Sequence, residues 1–204
     1  MPNPNPTRGA KRRVVANITL SLDGRTHGAA GDADMSWIVP HAVTDTARDH
    51  MTAFTRTAST ALLGRKNFEG FGGFWPAVAD MAEADPRDRA FSAWLNEADK
   101  VVLSTSLQST DWAHSRIERH DPVTVVDRLQ AEAGGDIVVL ASGSVIRALL
   151  AADRVDRLSL VLCPQVAGGG TRLFEDGLPA TAWRLVSSTP TESGALCLIY
   201  DRSV

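Results

Sequence analysis

The amino-acid sequence predicts an α/β fold with a mostly parallel central sheet, flanked by helices and closed by an antiparallel C-terminal hairpin. Two observations carry that prediction. Short β-branched runs, apolar on both faces, alternate with segments of helical period, the rhythm of β-α-β units around a parallel sheet. After Arg154 the rhythm changes to three strand candidates, and the last two have no helix-length segment between them, which requires antiparallel pairing there.

In chain order, strands are expected at Val14 to Leu20, Thr60 to Gly64, Lys100 to Leu103 and Ile137 to Leu140. Helices are expected at about His41 to Thr57, Pro86 to Asn96, Val123 to Ala133 and Ser144 to Ala152. The punctuation agrees. Asp121 before Pro122 is a cap followed by a first-turn proline, and Gly134-Gly135 stops the helix that follows. The late strands are Leu158 to Cys163, Trp183 to Ser188 and Ala195 to Tyr200. The 204 residues, 44% of them apolar, suit one domain from residue 13 to 204 with a sheet covered on both faces. Residues 1 to 12, rich in proline and asparagine at their start, are expected to be a disordered tail.

Composition narrows the partners. A formal net charge of -3, with basic residues clustered only at Arg8, Lys11, Arg12 and Arg13, argues against a nucleic-acid partner. No apolar run approaches the roughly 20 residues that span a bilayer, and the start lacks the apolar core of a secretion signal, so a cytoplasmic protein without a membrane partner is expected. Cys163 and Cys197 lie in apolar, strand-like surroundings and read as small buried hydrophobes. The five histidines show no paired-ligand spacing, and no metal site is expected.

Three strand ends carry chemistry. In Ile137-Val-Val-Leu-Ala-Ser-Gly-Ser-Val-Ile-Arg147 a buried strand turns through small residues directly into a helix, which brings backbone N–H groups and a helix N-terminus toward an anion. In Ala61-Leu-Leu-Gly-Arg-Lys-Asn-Phe-Glu69 two cations follow a buried strand, at the sheet edge where open parallel sheets bind ligands. Arg65 can clamp a phosphate with two hydrogen bonds and Lys66 adds a point charge. Val101-Val-Leu-Ser-Thr-Ser106 places hydroxyls at the same edge. Together they suit a dinucleotide.

The order Leu20-Ser-Leu-Asp-Gly24, Gly64-Arg-Lys-Asn-Phe-Glu69, Phe74-Trp-Pro76, Lys100-Val-Val-Leu-Ser104, Val139-Leu-Ala-Ser-Gly-Ser144 and Gly168-Gly-Gly-Thr-Arg-Leu-Phe174 resembles the dihydrofolate reductase superfamily, in the branch of the riboflavin-biosynthesis reductase domain. The resemblance runs from about Val14 to Tyr200 and implies a dihydrofolate-reductase-like fold. It also implies NADPH as cofactor, held by Thr19, Gly64, Arg65, Lys66, Asn67, Ser104, Thr105, Ala141, Ser142, Gly143, Ser144 and Val145. One departure stands out: the family usually has Gly-Gly where this chain has Ala141-Ser142, and a Cβ there restricts positive φ.

Reduction of an unsaturated bond needs a hydride and usually a positioned proton donor. The segment Met35-Ser-Trp-Ile-Val-Pro-His-Ala-Val43 lines up with the Met-x-Trp-x-x-Pro stretch of true dihydrofolate reductases, and the family's acid falls at Ala42. True folate reduction is therefore not expected. A continuous helix would put Asp45 and Asp49 on the side of Ala42, making Asp45 one candidate donor. His41 and His27 are others, and water is a further source. Trp37 and Phe71, with Asp23 at the end of the first strand, are the candidate substrate contacts, while Trp75 reads as a packing anchor and Asp23 also as the residue that fixes the Asp-Gly turn. The loop from Ser21 to Pro40 has the length and glycines of a lid.

The function expected is an NADPH-dependent reductase of a small, heterocyclic, unsaturated substrate. The alternatives are reduction of a ribosylaminopyrimidine in riboflavin synthesis, with Arg25, His27 and Arg48 near its phosphate, and a non-catalytic nucleotide- or ligand-binding protein on the same fold. Relatives of this branch are frequently homodimers, and a homodimer through the C-terminal strands is expected.

Overall fold

The computed structural model describes residues 11–31 and 34–203. One eight-stranded sheet runs through it: β1 (Val14–Ser21), β2 (Ala58–Gly64), β3 (Asp99–Leu103), β4 (Ser115–Glu118), β5 (Asp136–Leu140), β6 (Arg157–Cys163), β7 (Trp183–Pro190) and β8 (Leu196–Arg202). Their spatial order is β4-β3-β2-β5-β1-β6-β8-β7. Every pairing from β4 to β6 is parallel, and β8 pairs antiparallel with both β6 and β7. The mixed sheet and its C-terminal hairpin are those the sequence predicts.

Alternation along the strands splits the core in two. Ile137 and Val139 of β5 pack with α6 (Pro122–Ala131) and α7 (Gly143–Ala151) through Val125, Leu129, Ile146 and Leu149. Val138 and Leu140 face the other side, against Phe91 and Leu95 of α5 (Pro86–Glu97) and Phe54 and Phe68. A strand apolar at every position is thus explained by two covered faces. Trp75 packs edge-on against Phe91, ring centroids 4.6 Å apart, as the expected anchor. Both cysteines are buried, and burial pushes each thiol up to about 11.

Four local expectations are corrected. The helix expected over His41 to Thr57 is broken into α1 (Val39–Ala42), α2 (Asp45–Ala53) and a 3-10 turn at Phe54–Arg56. The break comes from Thr44, which is extended and whose hydroxyl caps α2 by accepting the Ala47 N–H. Two further helices follow β2, α3 (Arg65–Gly72) and α4 (Trp75–Val78), where glycines and a proline had masked the period. β4 was missed because Ser-Arg-Ile-Glu has no apolar run: it is a short edge strand, half-exposed. The ordered domain also takes in Arg12, a buried guanidinium bonded to Gly135 O, Leu129 O and the hydroxyls of Ser59 and Thr60. The tail expected over residues 1–10 lies outside the described residues. Asp121 caps α6 as expected, accepting the N–H groups of Val123 and Thr124.

Candidate active site

Because β2, β3 and β5 are parallel neighbours, their carboxyl ends meet at one edge of the sheet. A cleft of about 970 Å³ opens there. One end lies beside β3 and the edge strand β4, lined by Arg65, Lys66, Ser104, Thr105, Arg119 and His120. The other lies beneath the lid, lined by Thr26, His27, Met35 and Thr171.

The β5–α7 turn forms the middle of the cleft wall, with Ala141, Ser142, Gly143, Ser144 and Val145 all lining it. Ala141 adopts φ 48°, a left-handed conformation that its Cβ makes costly. Ser142 is almost fully buried, and its hydroxyl holds the junction together. It donates to Leu140 O at 2.8 Å and accepts the Gly64 N–H at 2.9 Å and Asn67 Nδ2 at 3.3 Å. Asn67 also donates to Ala141 O at 3.0 Å. The side chains of Ser142 and Asn67 therefore join the ends of β2 and β5, while the first-turn N–H groups of Ser144 and Val145 have no carbonyl within their own helix.

Gly64 and the cations after it complete the second junction. Arg65 forms an exposed pair with Glu69, one turn along α3, at 2.9 Å. Eleven of the twelve residues expected around the cofactor line this cleft; Thr19, on β1 opposite Val161, is half-buried and not among them.

The candidate substrate and proton-donor residues fare differently. Asp23 ties loops together: it accepts from the Ser21 hydroxyl and from the N–H groups of Ala167 and Gly168, bonds that hold its carboxyl far below the usual range. Phe71 packs on the second core beside Trp75. Trp37 is half-buried, and its indole N–H donates to Asp34 O at 3.2 Å. None of the three is among the cleft-lining residues. Asp45 is exposed and ion-paired with Arg87, which also binds Asp49 and Asp85. His41 is buried and shares a hydrogen bond with Ser193 at 2.7 Å. With α1 and α2 broken at Thr44, neither Asp45 nor His41 reaches the cleft. Arg48 pairs with Asp88 and Asp85, away from Arg25 and His27.

The lid is stitched to the Gly168-Gly-Gly170 loop. Thr26 N–H donates to Thr171 O at 3.0 Å, Leu173 N–H to Gly24 O at 2.9 Å, and Arg25 to Gly170 O. A Cβ at Gly170, whose φ is 81°, would stand 2.2 Å from His27 O. Cleft residues that no sequence expectation placed at the site include Thr26, Met35, Glu118, Arg119, His120, Arg147 and Thr171. Arg119 and His120 had no signal because the strand before them had none.

The class is now defined: a mixed sheet with a C-terminal antiparallel hairpin and a cleft across the carboxyl ends of its parallel strands is a dihydrofolate-reductase-like fold. Solved structures with this arrangement include the dihydrofolate reductase of Enterococcus faecalis, 15% identical with a TM-score of 0.55, covering 94% of this chain and 97% of that one. A pyrimidine reductase-like protein from Corynebacterium diphtheriae is 14% identical with a TM-score of 0.60, covering 95% and 92%. The model of the RibD C-terminal domain matches residues 12–197, and the chain belongs to that family. Uncharacterized protein YyaP of Bacillus subtilis (strain 168) is 26% identical over 193 residues, 93% of this chain and 95% of its own length. Among the described residues no helix is long and apolar enough to cross a membrane.

Proposed function

We propose that the protein is an NADPH-dependent reductase that transfers a hydride to a C=N, C=C or C=O bond of a small heterocyclic substrate. The observation that carries this reading is the convergence of three strand ends on one elongated cleft, with backbone N–H groups of α7 in the middle and Arg65, Lys66 and Arg119 at one end. That donor set suits a pyrophosphate flanked by a further phosphate. Family membership supports it, as does the similar Enterococcus faecalis enzyme, which was solved with NADP(H).

In this reading the N–H groups of Ser144 and Val145 bind the pyrophosphate and Arg65 and Lys66 bind the adenosine phosphate. A reduced nicotinamide, when bound, supplies the hydride. Thr26, His27 and Met35 cover the lid end and exclude bulk water from it. With His41 and Asp45 engaged elsewhere, the proton comes from solvent or from His27, the candidate histidine that lines the cleft.

A riboflavin-pathway substrate, a ribosylaminopyrimidine, is the second reading, favoured by membership of the RibD C-terminal domain family. Its phosphosugar would need cations at the lid end, where Arg25 bonds Asp23 and Gly170 O. We also propose a homodimer through the C-terminal hairpin: β7 is the sheet's edge, with Leu185 50% and Val186 45% exposed, and an apolar cavity of about 620 Å³ beside β6 and β8 is lined by Leu158, Leu198 and Tyr200.

The test is titration with NADPH and with NADH, followed by quenching of intrinsic tryptophan fluorescence, in wild type and Arg65→Ala. Micromolar NADPH binding, weaker NADH binding and loss of that preference in the variant are expected. No binding of either cofactor rejects the reductase reading, and binding without turnover of any acceptor leaves a nucleotide-binding protein.

A further inference from the structure

Arg65 and Arg147 both line the cleft and both stand beside a glutamate, but they are held in different ways. Arg65 pairs with Glu69 at 2.9 Å, one turn along its own helix, so the two move together. Arg147 of α7 pairs instead with Glu175, in the arm that leaves the glycine loop, so this contact joins the helix to the lid assembly. The guanidinium touches that arm at a second point. Its Nη1 donates to Arg172 O at 3.5 Å, and Arg172 forms the antiparallel bridge to Arg25 of the lid.

The Arg147–Glu175 contact is a loose one. Nε and Oε1 are 3.5 Å apart, beyond the roughly 2.7–2.9 Å of a charge-assisted hydrogen bond, and the Glu175 side chain is 51% exposed, where water screens the pair. Arg147 is the better enclosed partner, 23% exposed, and its side chain reaches back over the start of α7. A Cβ on Gly143 would stand 3.6 Å from Arg147 Nη1 and 3.4 Å from Thr26 Cγ2. With no Cβ there, the space between the guanidinium, the lid threonine and the first turn of α7 stays open. A cation beside the first-turn N–H groups of Ser144 and Val145 suits an anion in that space, and Glu175 offers a rival carboxylate from the side. The pair also stands between two cavities: Arg147 lines the cleft, and Glu175 lines the apolar cavity beside β6 and β8.

We propose that Arg147 and Glu175 form a latch between α7 and the lid assembly, closed while the cleft is empty and released when a pyrophosphate enters it. Arg147 leaves Glu175 for the anion at the start of α7, and the carboxylate swings into solvent on the side of the apolar cavity. Glu175 is therefore an internal competitor. It lowers the affinity of the cleft for any dinucleotide, with or without a ribose phosphate, and it ties release of the arm from Arg172 to Glu175 to occupancy of the cleft. This rests on the dinucleotide reading of the cleft.

The experiment measures dissociation constants of NADPH and of NADH by tryptophan fluorescence for wild type, Glu175→Gln, Arg147→Met and the double variant, with melting temperatures as a check on folding. Glu175→Gln should tighten both cofactors by the same factor, about two- to fivefold, the range of an exposed ion pair. Arg147→Met should weaken both about tenfold. In the double variant the gain from Glu175→Gln should vanish, because Glu175 no longer has a cation to compete for. Unchanged or weaker binding in Glu175→Gln overturns the proposal. So does a gain that persists without Arg147, which would report only the loss of a negative charge; both results leave the cleft reading intact. Glu175 is exposed, so Glu175→Gln alone decides if Arg147→Met melts early. A wild-type protein that binds neither cofactor overturns the latch and the cleft reading together.

Discussion

The Gly168 N–H donates to Asp23 Oδ2 at 3.2 Å across 145 residues of chain, and the Ala167 N–H donates to Oδ1 of the same carboxylate at 2.9 Å. The end of β1 is thereby fastened to the glycine-rich loop after β6. The Asp-Gly motif in the sequence marks a turn, and the structure shows that its carboxylate also holds a second, distant loop.

Asp23→Asn should lower the melting temperature near neutral pH, because an amide cannot match a carboxylate accepting several N–H and O–H donors. The folded carboxyl lies below its unfolded value, so its contribution is present above the unfolded pKa of about 4 and is lost as pH falls below it. Thermal melts of wild type and variant should differ at pH 7 and converge in acid; a gap that stays constant down to pH 2 rejects this role.

Ala141→Gly tests the departure at the β5–α7 turn. Ala141 pays for a left-handed φ of 48°, about 1–2 kcal/mol, and glycine gives back up to about 1 kcal/mol through unfolded-state entropy. A net stabilisation of about 0.5–1 kcal/mol by denaturant titration is expected, with cofactor binding unchanged or tighter. Destabilisation would show that the alanine methyl makes a compensating contact.

Ser142→Ala removes a buried hydroxyl with three partners and leaves the Gly64 N–H without its acceptor. A loss of about 1–3 kcal/mol is expected from chemical denaturation. Ser142→Thr would keep the oxygen; recovery of most of the loss would assign the effect to the hydrogen bonds.

Lys100 is fully buried, its ammonium donating to the carbonyls of Leu95, Ala98 and Asn96 at the end of α5 and lying 5.0 Å from the Trp112 ring centre. Burial pushes its pKa down to about 8. Between about pH 8 and 10.4 the unfolded chain holds a proton that the folded one releases, so stability should rise across that window. Lys100→Met should be less stable at pH 7 by about 1–3 kcal/mol and should lack the rise. Identical pH profiles would show that Lys100 stays charged throughout.

The sheet was legible because its inner strands carry apolar runs, unbroken in β5 from Ile137 to Leu140, and because caps such as Asp121 mark helix starts. β4 was not, since a four-residue edge strand buries too little to need an apolar run, and with it went Arg119 and His120. The Gly64, Arg65 and Ser142 junctions were visible as small and cationic residues at strand ends. That Ser142 and Asn67 spend their side chains on each other was not, because the pairing depends on β2 lying beside β5. The expected donor Asp45 rested on a helix continuous with Ala42, which Thr44 interrupts, while His41 rested on residue type alone, and its bond to Ser193 depends on packing that the sequence does not display.

The lid and the Gly168–Gly170 loop are hydrogen-bonded as two strands of one flap, with the Gly170 Cα packed where a side chain would strike His27. Residues 22–31 and 164–173 are thus a single exchangeable module encoded in two places. Grafting a lid from another family member onto this scaffold should succeed only when its glycine loop travels with it, and insertions in one segment call for matching changes in the other.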